Sequence, residues 1–257
     1  MSLQEQWIAF LTIMHKEIKR FTRIWIQTLL PPAITMVLYF VIFGKLIGSR
    51  IGDMGGFSYI EFVAPGLIMM AVLTNSYANV SSSFFSAKFQ RSVEEILVSP
   101  TPNYIILLGY VMGGVARGMA VGLIVTLMSL CFTDLHIHHW FITIFIVLMT
   151  SILFSLAGFI NAVYANSFDD ISIVPTFILT PLTYFGGVFY SINLLPEFWQ
   201  HVSIFNPILH MVNAFRYGML GITDVHIGLA FTGLTICVVV LFVIGMHLLK
   251  TGKRLRA

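Results

Sequence analysis

Of 257 residues, 58% are hydrophobic and only 10% carry charge, and the mean hydropathy is +0.91. A water-soluble domain carries about 25% charged residues, so a soluble globule is excluded and the surplus apolar side chains must face lipid. The net charge of +3 is small and scattered, which excludes a nucleic-acid partner.

Residues 3–22 open the chain. Leu3, Trp7, Phe10, Leu11, Met14, Ile18 and Phe21 recur at three- and four-residue spacing, so they share one helical face. Lys16, Lys19, Arg20 and Arg23 lie off that stripe. This pattern predicts an amphipathic helix in the membrane interface, its cations turned to lipid phosphates. The mixed polarity of this segment and its basic end do not match a cleavable signal peptide.

Six apolar runs follow, at about 24–47, 61–84, 104–131, 140–164, 171–190 and 228–249. Each is long enough to span a bilayer as a helix, which needs about 20 residues. The breaks carry turn chemistry: glycines with Arg50 and Asp53 over 48–58, charges and two prolines over 88–103, and a short polar link over 134–139. Ser167, Asp169 and Asp170 are placed to cap the fifth run. Cys131 and Cys237 fall within apolar runs and read as small core residues, not as a disulfide framework. Ten lysines and arginines fall on the side of the two termini, Lys253, Arg254 and Arg256 among them, against three (Lys45, Arg50, Arg216) on the other. That asymmetry predicts both termini in the cytosol. The expected fold is therefore all-α, integral to the membrane, with six spans.

Residues 191–226 are too polar to span and too apolar for a solvated loop. Pro196 and Pro207 break the stretch, which predicts short helices re-entering the outer leaflet between spans five and six. Pro175, Pro181 and Gly186-Gly187 predict a kinked fifth span. Tyr184 and Tyr190, near its outer end, either line a pathway or belong to an interfacial aromatic belt.

No GxxxxGK[ST], HExxH or GxSxG pattern occurs, so no catalytic residue and no nucleotide site is expected on this chain. His136, His138 and His139 beside Asp134 have metal-compatible chemistry, but their spacing is too tight for a tetrahedral site and no metal is expected. Arg117 lies mid-span, where an arginine costs roughly 2.5–3.5 kcal/mol, so it should face protein or water. Its depth matches Asn75 and Asn79, four apart on the second span, which predicts a polar seam between spans two and three. Gly109, Gly113, Gly114, Gly118 and Gly122 permit close helix approach, within one subunit or between two. Over 86–100, Arg91, Glu94 and Glu95 interleave with Val93, Ile96 and Leu97 before Pro100 ends the run. That pattern fits a short cytosolic docking helix, with a solvated loop as the competing reading.

Three stretches carry a family resemblance: Ser92–Pro100; Gly186–Ser191 with Leu195-Pro196 and Trp199; and Asn206-Pro207 with His210 and Arg216. Together they resemble the membrane-spanning permease subunits of type-2 ABC exporters of bacterial inner membranes. The likeness implies a half-transporter. Two copies of this chain would form the pathway, and two separate ATPase subunits carrying ATP and Mg would dock on residues 88–100. Arg91, Glu94, Glu95, Ile96, Leu97 and Pro100 are then the coupling residues, and Asn206, Pro207, His210 and Arg216 the outer signature. The exported substrate would be an amphiphile, a drug or a lipid-linked glycan. An ion-gradient-driven transporter and a non-transporting assembly subunit are the alternatives.

Overall fold

A computed structural model describes residues 1–255 except His136 and Lys253, and excludes the side chains of Lys45, Leu46 and Ser49. Helix α1 (Leu3–Arg23) opens with a capping box. Ser2 Oγ accepts the Glu5 N–H, and the Glu5 carboxylate accepts the Ser2 N–H. The chain then turns through α2 (Trp25–Thr28) into α3 (Leu30–Tyr39), whose first turn holds Pro31 and Pro32. Prolines are tolerated there because the N–H they lack would have had no helical partner. A π-helical stretch, Phe40–Ile47, and α4 (Gly48–Ile51) complete this arm.

A two-strand hairpin, β1 (Asp53–Met54) with β2 (Phe57–Ser58), reverses the chain. Its turn is Gly55-Gly56, both at positive φ, which a two-residue hairpin of this hand requires. Ser58 and Glu61 then cap α5 (Tyr59–Phe89), the hub of the bundle and its most enclosed long helix. Packed around it are α7 (Asn103–Ser129), α8 (Trp140–Tyr164) and α12 (Pro207–Leu220). The short α6 (Ser92–Val98) lies between α5 and α7 in sequence, and α13 (Ile227–Thr251) closes on α8 and α12.

Two apolar clusters fill the interior. One joins the first half of α5 to α3, α8 and α12 around Phe40, Phe62, Leu67 and Phe215. The other joins its second half to α7, α8 and α13 around Phe84, Tyr110 and Phe159. Glycines set the spacing. A Cβ at Gly113 would run into the Glu17 side chain of α1, and one at Gly158 would approach the Tyr77 carbonyl oxygen to 2.5 Å. The small residues of α7 thus serve packing inside one chain: Gly109 and Gly113 against α1, Gly114, Gly118 and Gly122 against α5, with α8 also at Gly114 and Gly118.

Among the described residues, five helical stretches are long and apolar enough to cross a membrane: Trp25–Gly44, Tyr59–Phe89, Asn103–Ser129, Trp140–Tyr164 and Ile227–Thr251. The run expected as a span over 171–190 forms a shorter, broken helix. It consists of α9 (Phe168–Val174), a π-helical turn at Pro175–Leu179, and α10 (Thr180–Tyr184). Each proline removes a backbone donor, and Gly187 at φ +65° turns the chain away. Ser167 caps α9 as its residue type predicts, and Asp170 reciprocates. Beyond the turn come a 3-10 turn at Ile192–Leu194, α11 (Glu197–Ile204) and the largely buried α12. Cys131 is exposed and Cys237 half-buried, so neither is the core residue its apolar neighbours suggested.

Candidate functional site

A buried polar ladder runs along one side of α5. Asn75, Asn79 and Ser83 recur at four-residue spacing and so share a face. Arg117 of α7 donates to Asn75 Oδ1 (3.0 Å) and to the Thr28 carbonyl (3.3 Å). Asn79 does not join Arg117. Its side-chain and main-chain oxygens each accept from the Arg20 guanidinium at 2.8 Å. Arg20 also reaches Glu17 at 3.3 Å, and Glu17 accepts from the Ser83 hydroxyl at 2.7 Å. Glu17 is fully buried between α1, α5 and α7.

One expectation for α1 is corrected here. Its packed face centres on Ile13, Glu17 and Phe21, while Leu3, Trp7 and Leu11 are exposed. That face is rotated about 70° from the apolar stripe, at 100° per residue. Arg20 therefore points into the bundle and not toward lipid phosphates. Sequence reasoning missed Glu17 and Arg20 because both signs of charge on an amphipathic helix read as its polar side. The usable signal was Glu17 lying four residues from both Ile13 and Phe21.

Tyr184 lies elsewhere. It lines a cavity of about 220 Å³ between α5 and the broken helix, with Thr74, Tyr77, Thr180 and Thr183. Thr74 and Tyr77 lie about 100–160° around α5 from Asn75 and Asn79 on the helical repeat. Tyr190 donates its hydroxyl proton to the Tyr184 carbonyl at 2.9 Å. The seam and the tyrosines are thus two sites flanking one helix.

The Asn-Pro stretch is a helix start and a strap. Asn206 Oδ1 accepts the Ile208 N–H as N-cap of α12, Pro207 occupies the first helical position, and Asn206 Nδ2 donates to the Leu182 carbonyl at 2.6 Å. A ring nitrogen of His210 meets the Ile204 carbonyl. Arg216 is fully buried. It donates to the carbonyls of Gly187 (2.7 Å) and Phe62 (3.3 Å), and its guanidinium stacks 3.9 Å from the Phe62 ring centre. Asn213 links it to Asp224, whose carboxylate accepts from the Ile192 N–H. These residues lock the 185–226 region onto the start of α5.

At the opposite end, Lys88 caps α8. Its ammonium donates to the carbonyls of Val163 (2.7 Å) and Ala165 (2.8 Å). Arg91, in the left-handed conformation, separates α5 from α6. Val93 is buried, and Ile96 and Leu97 pack half-buried beside it. Ile96 and Leu97, the apolar contacts expected for a partner, lie at i+3 and i+4 from Val93 and share its inward face while staying half-buried. The outward face carries Glu95 and Val98, the latter 87% exposed, and Phe89 is exposed on the preceding turn. Glu94 is half-buried, and Pro100 is exposed where the segment ends. The His138 ring meets Tyr217 edge-on and the His139 ring meets it at a tilt, and their main-chain N–H groups donate to the carbonyls of Met219 and Gly218. His136 lies outside the described residues.

Residues 8–220 match the family model described as ABC-2 type transporter. The chain is 58% identical over 251 residues to the inner membrane transport permease YadH of Escherichia coli (strain K12), covering 98% of each chain. It is 26% identical to nodulation protein J of Rhizobium meliloti (strain 1021), over 83% of this chain and 82% of that one. For nodulation protein J of Rhizobium leguminosarum bv. viciae the identity is 23%, over 83% of each. The chain belongs to the ABC-2 type transporter family.

Proposed function

We propose that the chain is the membrane permease of an ATP-driven exporter in the bacterial inner membrane. It works as a homodimer with two copies of a separate ATPase docked on residues 88–100, and it carries no nucleotide site of its own. The full arrangement is six-span and N-in/C-in, with the broken helix Phe168–Tyr184 as the fifth crossing, tilted segments of 191–226 re-entering the outer leaflet, and α1 in the interface. The name of the 58%-identical relative supports the location. The observation that carries the reading is the two-sided α6. Val93 anchors it in the core while Glu95 and Val98 project outward. A push on its outer face is thereby transmitted to α5 and to both sites that flank it. Two discrete positions of α6 biased by the ATPase are what such coupling requires.

The substrate is an amphiphile, a drug or a lipid-linked glycan. Its pathway runs by the cavity of Tyr184, Thr74 and Thr180, whose few hydroxyls in an apolar wall suit such a molecule. An ion-gradient-driven carrier would use a carboxylate inside the bundle. Glu17 is the one buried among the described residues, and both of its oxygens are engaged by Ser83 and Arg20, which favours a structural role.

Co-purification tests the reading. A tagged chain, gently solubilised, should bring down an ATPase of about 30–35 kDa, the size of one nucleotide-binding domain with flanks. Glu94→Arg with Glu95→Arg should lose that partner while retaining the unfolding temperature. An unchanged yield in the variant would remove α6 as the docking element.

A further inference from the structure

A second cavity, of about 600 Å³, opens where α5 ends, the chain turns into α6, α8 ends, and the chain after α13 folds back. Lys88, Arg91 and Arg254 line it together with the rings of Phe85 and Phe89. Three features set it apart from ordinary surface. Among the described residues, Arg91 (φ 61°) and Arg254 (φ 64°) are the only non-glycine residues at positive φ, and both line this opening. Such a conformation is costly for a residue with a Cβ, and it persists only where the surrounding structure enforces it. For Arg254 the enforcement is visible. Gly252 turns the chain back, Leu255 is buried in the second apolar cluster, and the guanidinium is held 5.0 Å from the Tyr164 ring centre.

The cations also lack counter-charges. Glu17–Arg20 is the only ion pair among the described residues, so none of these three is paired with a carboxylate. Lys88 spends two of its three protons on carbonyls, leaving one for a ligand. Asp170, four residues beyond Asn166 of the lining, turns its carboxylate back to the N–H groups of Asn166 and Ser167. The depth, finally, is that of phosphates. The 31 residues of α5 extend about 46 Å at 1.5 Å each. The hydrocarbon core is only about 30 Å thick, so the last turn of α5 lies among headgroups. Phe89 and Phe168 meet at a tilt beside the cations and stay exposed, offering an apolar surface at the boundary between headgroups and acyl chains.

We infer that this cavity binds the headgroup of an anionic phospholipid from the leaflet on the α6 side, its phosphate held by Lys88, Arg91 and Arg254 beside the exposed rings of Phe89 and Phe168. The inference requires α5 to cross a bilayer but not the ATPase partner; of the 88–100 segment the lipid takes Lys88 and Arg91, and the ATPase takes the outward face of α6 with Glu95 and Val98, so the two readings fail separately.

The test is native mass spectrometry of the detergent-purified chain titrated with phosphatidylglycerol, with phosphatidylcholine and inorganic phosphate as comparisons. The wild-type chain should retain phosphatidylglycerol in clear preference to phosphatidylcholine. Arg91→Gly with Arg254→Gly removes two charges at positions where glycine accepts the backbone without strain. Affinity should fall roughly five-fold for each charge, about 25-fold together. Arg91→Lys with Arg254→Lys should keep most of it. Equal retention of the two lipids, an unchanged double-glycine variant, or displacement of phosphatidylglycerol by millimolar phosphate would each overturn the inference, the last by making this a free-anion site.

Discussion

Glu17 and Arg20 show how a single turn of helix carries opposite charges into a protein interior. Glu17 is fully buried, so its charge is tolerable only with Arg20 and Ser83 in place. Arg20→Met leaves that carboxylate without its cation. With the partial exposure of Arg20 discounted, the expected loss is about 2–3 kcal/mol. Glu17→Gln keeps an acceptor for Ser83 and should cost less, and the double variant should cost less than the two singles summed. A thermal-unfolding double-mutant cycle in detergent measures this, and strict additivity would contradict the pairing. Arg117→Leu strands the Asn75 side-chain oxygen, at about 1–3 kcal/mol. Retention of both stability and export in that variant would strip Arg117 of any role. The seam's two asparagines were readable as a pair at four-residue spacing. That they would serve two different arginines was not, because partner choice depends on where α1 and α7 stand relative to α5.

At the scale of elements, glycines decide which helices touch. Gly158 faces a backbone carbonyl of α5 that cannot swing aside, so Gly158→Ala should destabilise by about 1–3 kcal/mol. Gly233 in α13 has open space around its Cα. Gly233→Ala should be neutral or gain up to about 1 kcal/mol from helix propensity. Parallel unfolding curves separate the two, and equal effects would mean that the α5–α8 contact is looser than its geometry. The presence of long apolar helices was legible from apolar runs, since a span's length follows from bilayer thickness, but α5 continues past its run of 61–84 to Phe89. The broken helix at Phe168–Tyr184 was legible as a kink but not as a shortening. Proline and glycine mark where a ladder fails, while packing decides how far the chain continues beyond it.

The whole molecule is an α5 hub held at one end by Arg216 and at the other by Lys88. Its proposed orientation is open to direct test. With Cys131 and Cys237 replaced by serine, an impermeant maleimide should label Gly56→Cys, at the hairpin tip, in intact cells, and Val98→Cys only after permeabilisation. The reverse pattern would invert the topology. Composition and periodicity alone determined that this chain is helical and lives in lipid, because burying so many apolar side chains in water has no soluble solution. The ordered local signals of Asn206-Pro207, the Gly55-Gly56 turn and the capping serines likewise act within a few residues and can be read without a fold. Only the tertiary structure decided which face of α1 is buried, that Ile96 and Leu97 turn inward while Val98 turns out, and that Lys88, Arg91 and Arg254 share one opening. Each of those depends on contacts between residues tens to hundreds of positions apart, where helix rotation and chain reversal set the neighbour and local spacing says nothing about it.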